Sequence, residues 1–379
     1  MNVMSVPLSP GEVRRYARHL ALPEVGRAGQ ERLLRSRVLC VGAGGLGSPL
    51  LLYLAAAGVG TIGVMDDDVV DVSNLQRQVL FGEGDLGRPK AVAARERLRL
   101  LNPLVTVEAR VERFGPENAL GAVSAYDVVA DGSDNFATRY LVNDACVLAG
   151  RPNAHASVYR FEGQAAVFAA RGGACYRCLF PDPPEAGAVP SCVEGGVLGV
   201  LPGLLGAIQA TEVLKLLLGA GEPLVDRLLT VDALTMSFRT IRTRRDPACA
   251  VCGDTPTLRT VEEAATACGL PPAGATVTAE ELDARLRSGD PPLVLDVRDP
   301  WETSHGILPG SLVIPLRELA ARVAEVPPER DVVVVCEAGR RSLRALATLR
   351  ASGRTRAASL EGGLARHRER VDPGFPLPY

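Results

Sequence analysis

Lysine is almost absent from this sequence. Only Lys90 and Lys215 among the 42 basic residues are lysines, so arginine stands wherever a generic cation suffices. A surplus of one charge sign is also missing, because the formal net charge is −2. A nearly neutral chain has no global field that attracts nucleic acid or an anionic membrane. Neither partner is expected, any anion site must be local, and each lysine is informative.

Long apolar runs are lacking as well. The most apolar stretch, 195–208, spans 14 residues and includes Pro202, which is shorter than the ~20 residues that cross a bilayer. The N-terminus has no apolar signal-peptide core. These absences predict a cytoplasmic protein. Nine cysteines are an odd number in a long chain, so in a reducing compartment we expect metal ligands, nucleophiles or core residues instead of disulfides.

The composition is that of a globular protein with two or three domains, since 47% of the 379 residues are hydrophobic and 23% are charged. A strand pattern at 37–41, a glycine turn, a helical pattern at 48–57 and a second strand predict a βαβ unit. The fold class is therefore α/β, with a Rossmann-like, doubly wound sheet. Turn-forming residues interrupt the periodicity at 253–275. We predict a first domain at 1–252, a linker at 253–275 and a smaller α/β domain at 276–379.

A glycine-rich turn follows the first strand. Gly42, Gly44 and Gly47 form a GxGxxG pattern, in which glycines let the backbone approach a phosphate and the helix N-terminus offers free N–H donors. Asp66, at the end of the next strand, is placed to accept hydrogen bonds from ribose hydroxyls. The pattern predicts a nucleotide site and leaves open an NAD-dependent dehydrogenase.

Cations beyond the acidic strand end favour ATP. Arg77 and Lys90 can stabilise a pyrophosphate leaving group, whereas backbone amides alone can hold the diphosphate of a dinucleotide. Lys90 opens a predicted helix, where the dipole disfavours a cation. A compact ammonium bound to phosphate explains both this position and the choice of lysine. The alternative is a solvated surface lysine.

The order of several motifs resembles the MoeB/ThiF family, bacterial relatives of ubiquitin-activating enzymes. The motifs are VGAGGLGSPLLLYLAAAGVG, DDDVVDVSNLQRQ, GRPKA, DGSDNFATR, CYRC, SCVEGGVLG and CAVCG, which together cover nearly all of 1–252. The resemblance implies that Asp134 holds Mg²⁺, and that Arg18 on the N-terminal arm reaches the ATP of the other subunit in a homodimer. It also implies ATP contacts at Gly45, Asp66, Ser73, Asn74, Leu75, Gln76, Arg77, Lys90, Asp134 and Asn135.

Four paired cysteines predict a structural zinc site. Cys175 and Cys178 form one CxxC knuckle, and Cys249 and Cys252 form another. Four thiolates at this spacing match a closed tetrahedral Zn²⁺ site with no open position for a substrate. The alternative is that one pair is a redox motif or lies in the core.

Cys192 is a candidate nucleophile. It follows a proline- and alanine-rich stretch, 182–190, that predicts a mobile loop from which a thiol can visit a reaction centre. The residues alone leave a buried thiol equally open. The family resemblance implies a loop cysteine that forms an acyl thioester or resolves an acyl disulfide.

Cys336 is the second candidate nucleophile. It ends an apolar strand at 332–335 and begins the loop CEAGRRS, which precedes a helix. Such a loop directs backbone N–H groups at the sulfur, and the helix N-terminus with Arg340 and Arg341 should stabilise the thiolate. A strand-end core cysteine is one alternative. A cysteine-dependent phosphatase with Arg341 on phosphate is another.

Motifs around Cys336 resemble the rhodanese sulfurtransferase domain over about 276–379. They are LDVR, PG, IPL, LEGGL and the end VDPGFPLPY, with one departure in the turn at His305 and Leu308. Asp296, Arg298 and Glu302 are interpreted as scaffold. The remaining cysteines, Cys40, Cys146 and Cys268, are interpreted as structural. The four histidines, which are assigned to no ligand cluster, are His19, His155, His305 and His367.

Together the residues and the resemblances predict an adenylyltransferase fused to a sulfurtransferase. Its substrate is the C-terminal Gly-Gly carboxylate of a ubiquitin-like sulfur carrier, which is adenylated with ATP and Mg²⁺. A persulfide on Cys336, supplied by a cysteine desulfurase or thiosulfate, then attacks the acyl-adenylate, and Cys192 resolves the product to a thiocarboxylate. Carriers for molybdopterin, thiamine, cysteine and tRNA thiolation all stay open.

Three other functions compete with this prediction. A ubiquitin-activating-like enzyme would hold its carrier as a thioester on Cys192 and pass it to lysines. A dehydrogenase would bind NAD. A scaffold that only binds carriers would not depend on Lys90.

Overall fold

A computed structural model of the protein describes residues 8–170, 172–184, 196–262 and 276–377. The described residues fall into two compact units, one up to residue 262 and one from residue 276 onward. Residues 253–262, which the sequence placed in the linker, pack on the first unit through Leu258 and Val261. The remaining linker residues, 263–275, lie outside the described ranges, and the domain bounds stay a prediction.

The first unit is built on an eight-stranded mixed sheet in the order β3-β2-β1-β4-β5-β6-β7-β8. The first five strands in this order are parallel, and the last four pair antiparallel. The order turns back between β1 and β4, the position at which doubly wound sheets bind ligands. The strands are β1 Arg37–Val41, β2 Thr61–Met65, β3 Thr106–Arg110, β4 Val128–Asp131, β5 Asn153–Tyr159, β6 Glu162–Phe168, β7 Arg227–Asp232 and β8 Ser237–Arg242.

Helices cover both faces of this sheet because its parallel strands are apolar on both sides. On β4, Val128 packs in the cluster of α3, α4, α5 and α9, while Val129 packs in the cluster of α6 and α7. The predicted α/β class is confirmed. The helices are α1 Pro10–Arg15, α2 Ala17–Leu20, α3 Gly26–Arg35, α4 Gly47–Ala57, α5 Lys90–Leu101, α6 Pro116–Ser124, α7 Phe136–Ala149, α8 Tyr176–Leu179 and α9 Val200–Leu218.

Helix α9 continues well past the apolar stretch identified in the sequence. Its 19 residues are long and apolar enough to cross a membrane by length and composition, and half of them are buried inside the protein. Gln209, in its middle, donates to Asp131 O at 2.8 Å and to Ala154 O at 2.6 Å. These contacts with β4 and β5 are those of a core helix.

The second unit contains a five-stranded parallel sheet in the order β11-β10-β12-β13-β9. Alternate valines of β12 fill the cores on its two faces. The strands are β9 Thr276–Val277, β10 Leu293–Asp296, β11 Leu312–Val313, β12 Val332–Val335 and β13 Ala357–Leu360, and the helices are α10 Ala279–Leu286, α11 Pro300–Thr303, α12 Leu316–Arg322, α13 Arg340–Ala351 and α14 Gly363–Arg370.

Candidate functional site

The glycine turn joins the end of β1 to the start of α4. Gly42 has a φ of 90°, in the left-handed region that favours glycine, and its N–H donates to Met65 O at 2.9 Å. A Cβ at Gly47 would collide with Gly42 O. Gly132, which follows β4, packs against the same carbonyl. Glycine is therefore required here by close backbone approach at the point where the strand order turns back.

Asp66 follows β2 and is directed at the glycine turn. Its Oδ2 accepts a hydrogen bond from Ala43 N at 2.7 Å, and its Oδ1 accepts one from Asp68 N at 2.9 Å. Burial raises the pKa of Asp66, while the two backbone donors and the charge of Lys90 oppose that rise. The carboxylate forms part of the wall of the turn, and its contact with ribose hydroxyls stays a prediction.

Lys90 is the first residue of α5, and only 7% of its side chain is exposed. Its Nζ lies 2.9 Å from Asp68 Oδ2, and its backbone N–H donates to Asp68 O. Because the side chain is buried, the alternative of a solvated surface lysine is wrong. A buried ammonium at a helix N-terminus is unfavourable unless it has an anionic partner, and Asp68 is that partner here.

The other lysine has a structural role. Lys215 lies in the last turn of α9, where Nζ contacts Glu212 Oε1 at 2.5 Å and donates to Glu222 O at 2.9 Å. Glu212 is itself buried and accepts a hydrogen bond from Leu224 N at 2.7 Å. Lys215 therefore fixes the loop that follows α9.

The residues from Ser73 to Arg77 form a tight turn beside the glycine turn. Asp71 Oδ1 caps it by accepting from Ser73 N at 2.8 Å and from Ser73 Oγ at 2.6 Å. Arg77 Nη1 donates to Ser73 O at 2.9 Å. A Cβ placed on Gly45 would lie 3.5 Å from Arg77 Cγ. The structure therefore brings Gly45 and Arg77 together, although they are distant in the sequence.

The loop after β4 carries the next two predicted ATP contacts. Asn135 caps α7, because its side-chain oxygen accepts a hydrogen bond from Thr138 N at 2.9 Å. Asp134 is exposed beside it. The contacts of Asp134, Asn135 and the other predicted residues with ATP stay predictions.

The sequence analysis missed a buried pair at this loop. Asp131 Oδ2 lies 3.0 Å from His155 Nδ1, and both side chains are almost wholly buried. Burial by itself would raise the pKa of Asp131, but the hydrogen bonds from His155 and Ser133 and the charge of Arg139 hold it below its usual range. Only the register of β4 with β5, in which Asp131 is paired with His155, could have revealed this contact.

Arg18 is exposed on the short helix α2. Its predicted reach toward the nucleotide of a partner subunit stays a prediction.

The four paired cysteines meet in space, as predicted. Their Sγ atoms all lie within 4.8 Å of one another, with separations of 3.6 Å for Cys175 and Cys249, 3.3 Å for Cys178 and Cys252, and 3.8 Å within the first pair. Four thiolates about 2.3 Å from a tetrahedral Zn²⁺ lie about 3.8 Å apart. Burial raises the pKa of Cys175, whereas the effect of burial at Cys249 is outweighed by hydrogen bonds from backbone N–H groups and from neighbouring cysteines, which lower the pKa of Cys249. Thiolates must be deprotonated to bind a metal, and a dication would favour that form. The donor set and its geometry fit zinc.

The residues between the first two cysteines tie the cluster to α7. Arg177 Nε donates to Asp144 Oδ1 at 2.8 Å, and Arg177 Nη2 donates to Asp144 Oδ2 at 2.8 Å. Asn143 Oδ1 accepts a hydrogen bond from Tyr176 N at 2.7 Å. Tyr176 and Arg177 are buried, and the helix that they contact, α7, is capped by Asn135. The cysteine cluster is therefore tied to the helix that follows the candidate nucleotide loop.

Cys192 and Cys268 lie outside the described residues, so their predicted roles stay predictions. Cys40 and Cys146 are fully buried in the hydrophobic clusters of the first unit, as expected of structural thiols.

Cys336 follows β12 and precedes α13, as predicted. Its Sγ accepts from Ser342 N at 3.4 Å and lies 3.5 Å from Ser342 Oγ, and only 1% of the residue is exposed. Ser342 Oγ is in turn 2.7 Å from Ser359 Oγ. A Cβ on Gly363 would collide with the carbonyls of Cys336 and Glu337, which explains the paired glycines of the LEGGL motif.

Arg341 has a partner that the sequence did not suggest. Its Nη1 and Nη2 donate to the two oxygens of Glu302, both at 2.5 Å. The stabilisation of the Cys336 thiolate by Arg340 and Arg341 stays a prediction. The interpretation of Glu302 and Asp296 as scaffold is supported, because Arg298 donates to Asp296 Oδ2 at 2.7 Å in a fully buried pair. Two buried ion pairs therefore hold the segment after β10 and the start of α13.

Comparison with known proteins agrees with this architecture. Residues 16–251 match the ThiF family, and residues 278–369 match the rhodanese-like domain. The probable adenylyltransferase/sulfurtransferase MoeZ of Mycobacterium tuberculosis is 47% identical over 98% of this chain and 96% of its own length. The sulfur carrier protein adenylyltransferase of Thermus thermophilus is 56% identical over 68% of this chain and 97% of its own length.

A solved structure shares the fold of the first unit. The crystal structure of E. coli MccB with MccA-N7isoASN covers 63% of this chain and 74% of its own, with a TM-score of 0.57 and 24% identity. The two matched families cover the two units in turn. The chain therefore belongs to the ThiF family and carries a rhodanese-like domain in its second unit.

Proposed function

We propose that this protein adenylates the C-terminal Gly-Gly carboxylate of a ubiquitin-like sulfur carrier and then converts it to a thiocarboxylate with sulfur from Cys336. The observation that carries the proposal is that one chain contains both a ThiF-family unit and a rhodanese-like unit. The chain also matches nearly the whole length of a relative named adenylyltransferase/sulfurtransferase. The buried Lys90 beside the glycine turn supports the first half. The cysteine loop after β12 supports the second.

In the adenylation half, ATP lies along the glycine turn, with Asp66 on the ribose and Arg77 and Lys90 on the phosphates. The carrier carboxylate attacks the α-phosphate, and pyrophosphate leaves with the bonding electron pair. Lys90 and Arg77 stabilise the charge that develops on the leaving group. The exposed carboxylate of Asp134 fits Mg²⁺, which prefers oxygen ligands and, when bound, neutralises phosphate charge.

The cysteine cluster has a structural role in this proposal. Cys175, Cys178, Cys249 and Cys252 would hold Zn²⁺ with all four positions filled by protein thiolates, so no position is open to a substrate. The contacts of the knuckle with Asn143 and Asp144 transmit that support to α7.

In the sulfur-transfer half, Cys336 carries a persulfide received from a cysteine desulfurase or from thiosulfate. Its terminal sulfur attacks the acyl-adenylate carbonyl, a C–S bond forms, and AMP leaves with the electrons of the C–O bond. The Cys192 thiolate then attacks Cys336 Sγ and breaks the S–S bond. This releases the carrier thiocarboxylate and leaves a Cys192–Cys336 disulfide, which a cellular dithiol must reduce.

The same proposal includes the oligomeric state and the cellular location of the enzyme. We infer a homodimer in which Arg18 reaches the partner subunit's nucleotide, and a cytoplasmic location.

Mass spectrometry of candidate carriers tests the function. Purified carriers for the molybdopterin, thiamine, cysteine and tRNA-thiolation pathways are incubated with the protein, ATP and either thiosulfate or a desulfurase with cysteine. We expect one carrier to exchange a carboxylate oxygen for sulfur. Adenylation is followed separately by carrier-dependent ATP–pyrophosphate exchange.

Two variants make the test decisive. Lys90→Ala should abolish exchange, whereas Lys215→Ala, the matched change at the other lysine, should preserve it. A carrier that accumulates as a thioester on Cys192 and passes to lysines, with Cys336→Ala fully active, would instead establish a conjugating enzyme. Binding of NAD without carrier-dependent exchange would establish a dehydrogenase.

A further inference from the structure

A buried polar pair lies between the candidate nucleotide loop and the zinc knuckle. Asp131, the last residue of β4, is fully buried, and His155 on β5 is 3% exposed. Because an ionised carboxylate can only accept, His155 Nδ1–H donates to Asp131 Oδ2 across 3.0 Å. The pair is part of the sheet register, in which Asp131 is paired with His155.

The other oxygen of Asp131 holds the loop that leads to α7. Asp131 Oδ1 accepts from Ser133 Oγ at 2.6 Å and from Ser133 N at 3.1 Å. Asp134 comes next, and Asn135 then caps α7. The orientation of one buried carboxylate therefore fixes the backbone that presents Asp134 and Asn135.

His155 is held in turn by aromatic rings. Its ring centroid lies 5.6 Å from that of Phe168 on β6 and 5.2 Å from that of Tyr176, between the first two cysteines of the zinc cluster. Packing on both rings restricts the imidazole to the orientation that aims Nδ1 at Asp131. The zinc knuckle, the imidazole, the carboxylate and the nucleotide loop form one continuous set of contacts.

From this arrangement we infer that His155 is a positioning residue of the adenylation site, which acts through Asp131 on the loop carrying Asp134 and Asn135. The inference rests on the proposed function, because it assumes that this loop contacts ATP. An apolar side chain at 155 would leave a buried carboxylate with Ser133 as its remaining hydrogen-bond donor in this set, at a cost that reorients Asp131. The loop would then lose its fixed geometry.

The test compares two substitutions of His155 in the full-length protein. In His155→Leu the donor is lost, and we expect the KM for ATP in carrier-dependent pyrophosphate exchange to rise about tenfold or more while the KM for the carrier is unchanged. In His155→Asn the amide nitrogen can take the place of Nδ1, so the KM for ATP should return most of the way to that of the wild type. Equal KM values for ATP in His155→Leu and the wild type, or no rescue by asparagine, would overturn the inference.

A control and a second variant separate positioning from general destabilisation. Tyr126→Phe removes a hydroxyl that donates to Glu108 Oε2 at 2.5 Å elsewhere in the same unit, and it should leave the KM for ATP unchanged. If His155→Leu does not fold, Ser133→Ala removes the hydroxyl donor on the other side of Asp131 and should raise the same constant. An unchanged KM for ATP in Ser133→Ala would count equally against the inference.

The wild-type protein distinguishes the two possible failures. Absence of carrier-dependent exchange in the wild type would show that the proposed function is wrong. Normal exchange in the wild type together with unaltered nucleotide kinetics in His155→Leu would show that only the role of His155 is wrong.

Discussion

Lys90 and His155 are both buried polar residues near the candidate nucleotide site. The scarcity of lysine drew attention to Lys90, and its burial against Asp68 supports that emphasis. His155 carried no comparable signal, because its partner is 24 residues away and meets it only through the pairing of β4 with β5. Motif spacing predicts residues near a turn well, but it does not reveal contacts made across strands.

Lys90→Arg tests whether the compact ammonium is required. The buried space at the start of α5 fits a single nitrogen 2.9 Å from Asp68 Oδ2, and a larger planar guanidinium should be displaced from it. We expect carrier-dependent pyrophosphate exchange to fall by about 10²-fold or more. Lys215→Arg, whose side chain contacts Glu212 and Glu222 instead, should keep the wild-type rate. Equal rates in the two variants would argue against phosphate binding by Lys90.

At the scale of elements, the sequence predicted what local chemistry determines. The glycine turn and the βαβ unit appear where they were expected, since each depends on residues close in the chain. The pairing of Arg341 with Glu302 was missed because it joins α11 to α13, 39 residues apart. The periodicity predicts a helix at 204–218, and α9 begins one turn earlier, at Val200.

Acid stability of the second unit should depend on Glu302. Burial alone would raise the pKa of Glu302, but hydrogen bonds from Arg341 and Asp299 N and the charge of Arg298 hold it below its ordinary value of 4.5. A carboxyl with a lowered folded pKa stabilises the protein above its unfolded pKa, and this contribution is lost as the pH falls below about 4.5. Glu302→Gln should therefore weaken the dependence of unfolding free energy on pH in this acidic range.

The measurement can use the single tryptophan, Trp301, which is adjacent to Glu302. Denaturant unfolding of the full chain, followed by Trp301 fluorescence, gives the free energy of unfolding of the second unit. The measurements run from about pH 3 to about pH 7, because ordinary carboxyl pKa values are roughly 4. Glu325→Gln, in an exposed pair with Arg322, is the matched control and should leave the slope nearly unchanged. Identical slopes for both variants would contradict the assignment.

Zinc should stabilise the element that follows the nucleotide loop. Cys249→Ser should abolish binding of zinc, measured by atomic absorption, and should lower the melting temperature of the first unit by about 10 °C or more. Cys146→Ser, at a fully buried thiol outside the cluster, should retain the metal. Retention of one zinc ion by Cys249→Ser would exclude the four-cysteine site.

For the whole molecule, the proposed function assigns one reaction to each unit. The predicted nucleotide residues and the cysteine cluster belong to the first unit, and Cys336 with its buried ion pairs belongs to the second. We therefore expect adenylation to require no group from the second unit. We expect thiocarboxylate formation to require both units, because the persulfide sulfur must meet an activated carbonyl.

Cys336→Ser should uncouple these reactions. The hydroxyl preserves the contacts with Ser342 but cannot carry a persulfide, so carrier-dependent pyrophosphate exchange should continue at the wild-type rate while thiocarboxylate formation falls below detection. Lys90→Ala should abolish both. Ser359→Ala, which removes the contact of Ser359 Oγ with Ser342 Oγ, should keep the wild-type rate of exchange and retain part of the thiocarboxylate formation. Mass spectrometry of the carrier alongside an exchange assay distinguishes the three patterns. Full thiocarboxylate formation by Cys336→Ser would place the sulfur-bearing group on another cysteine, and Cys192→Ser would then be the variant in which that activity disappears.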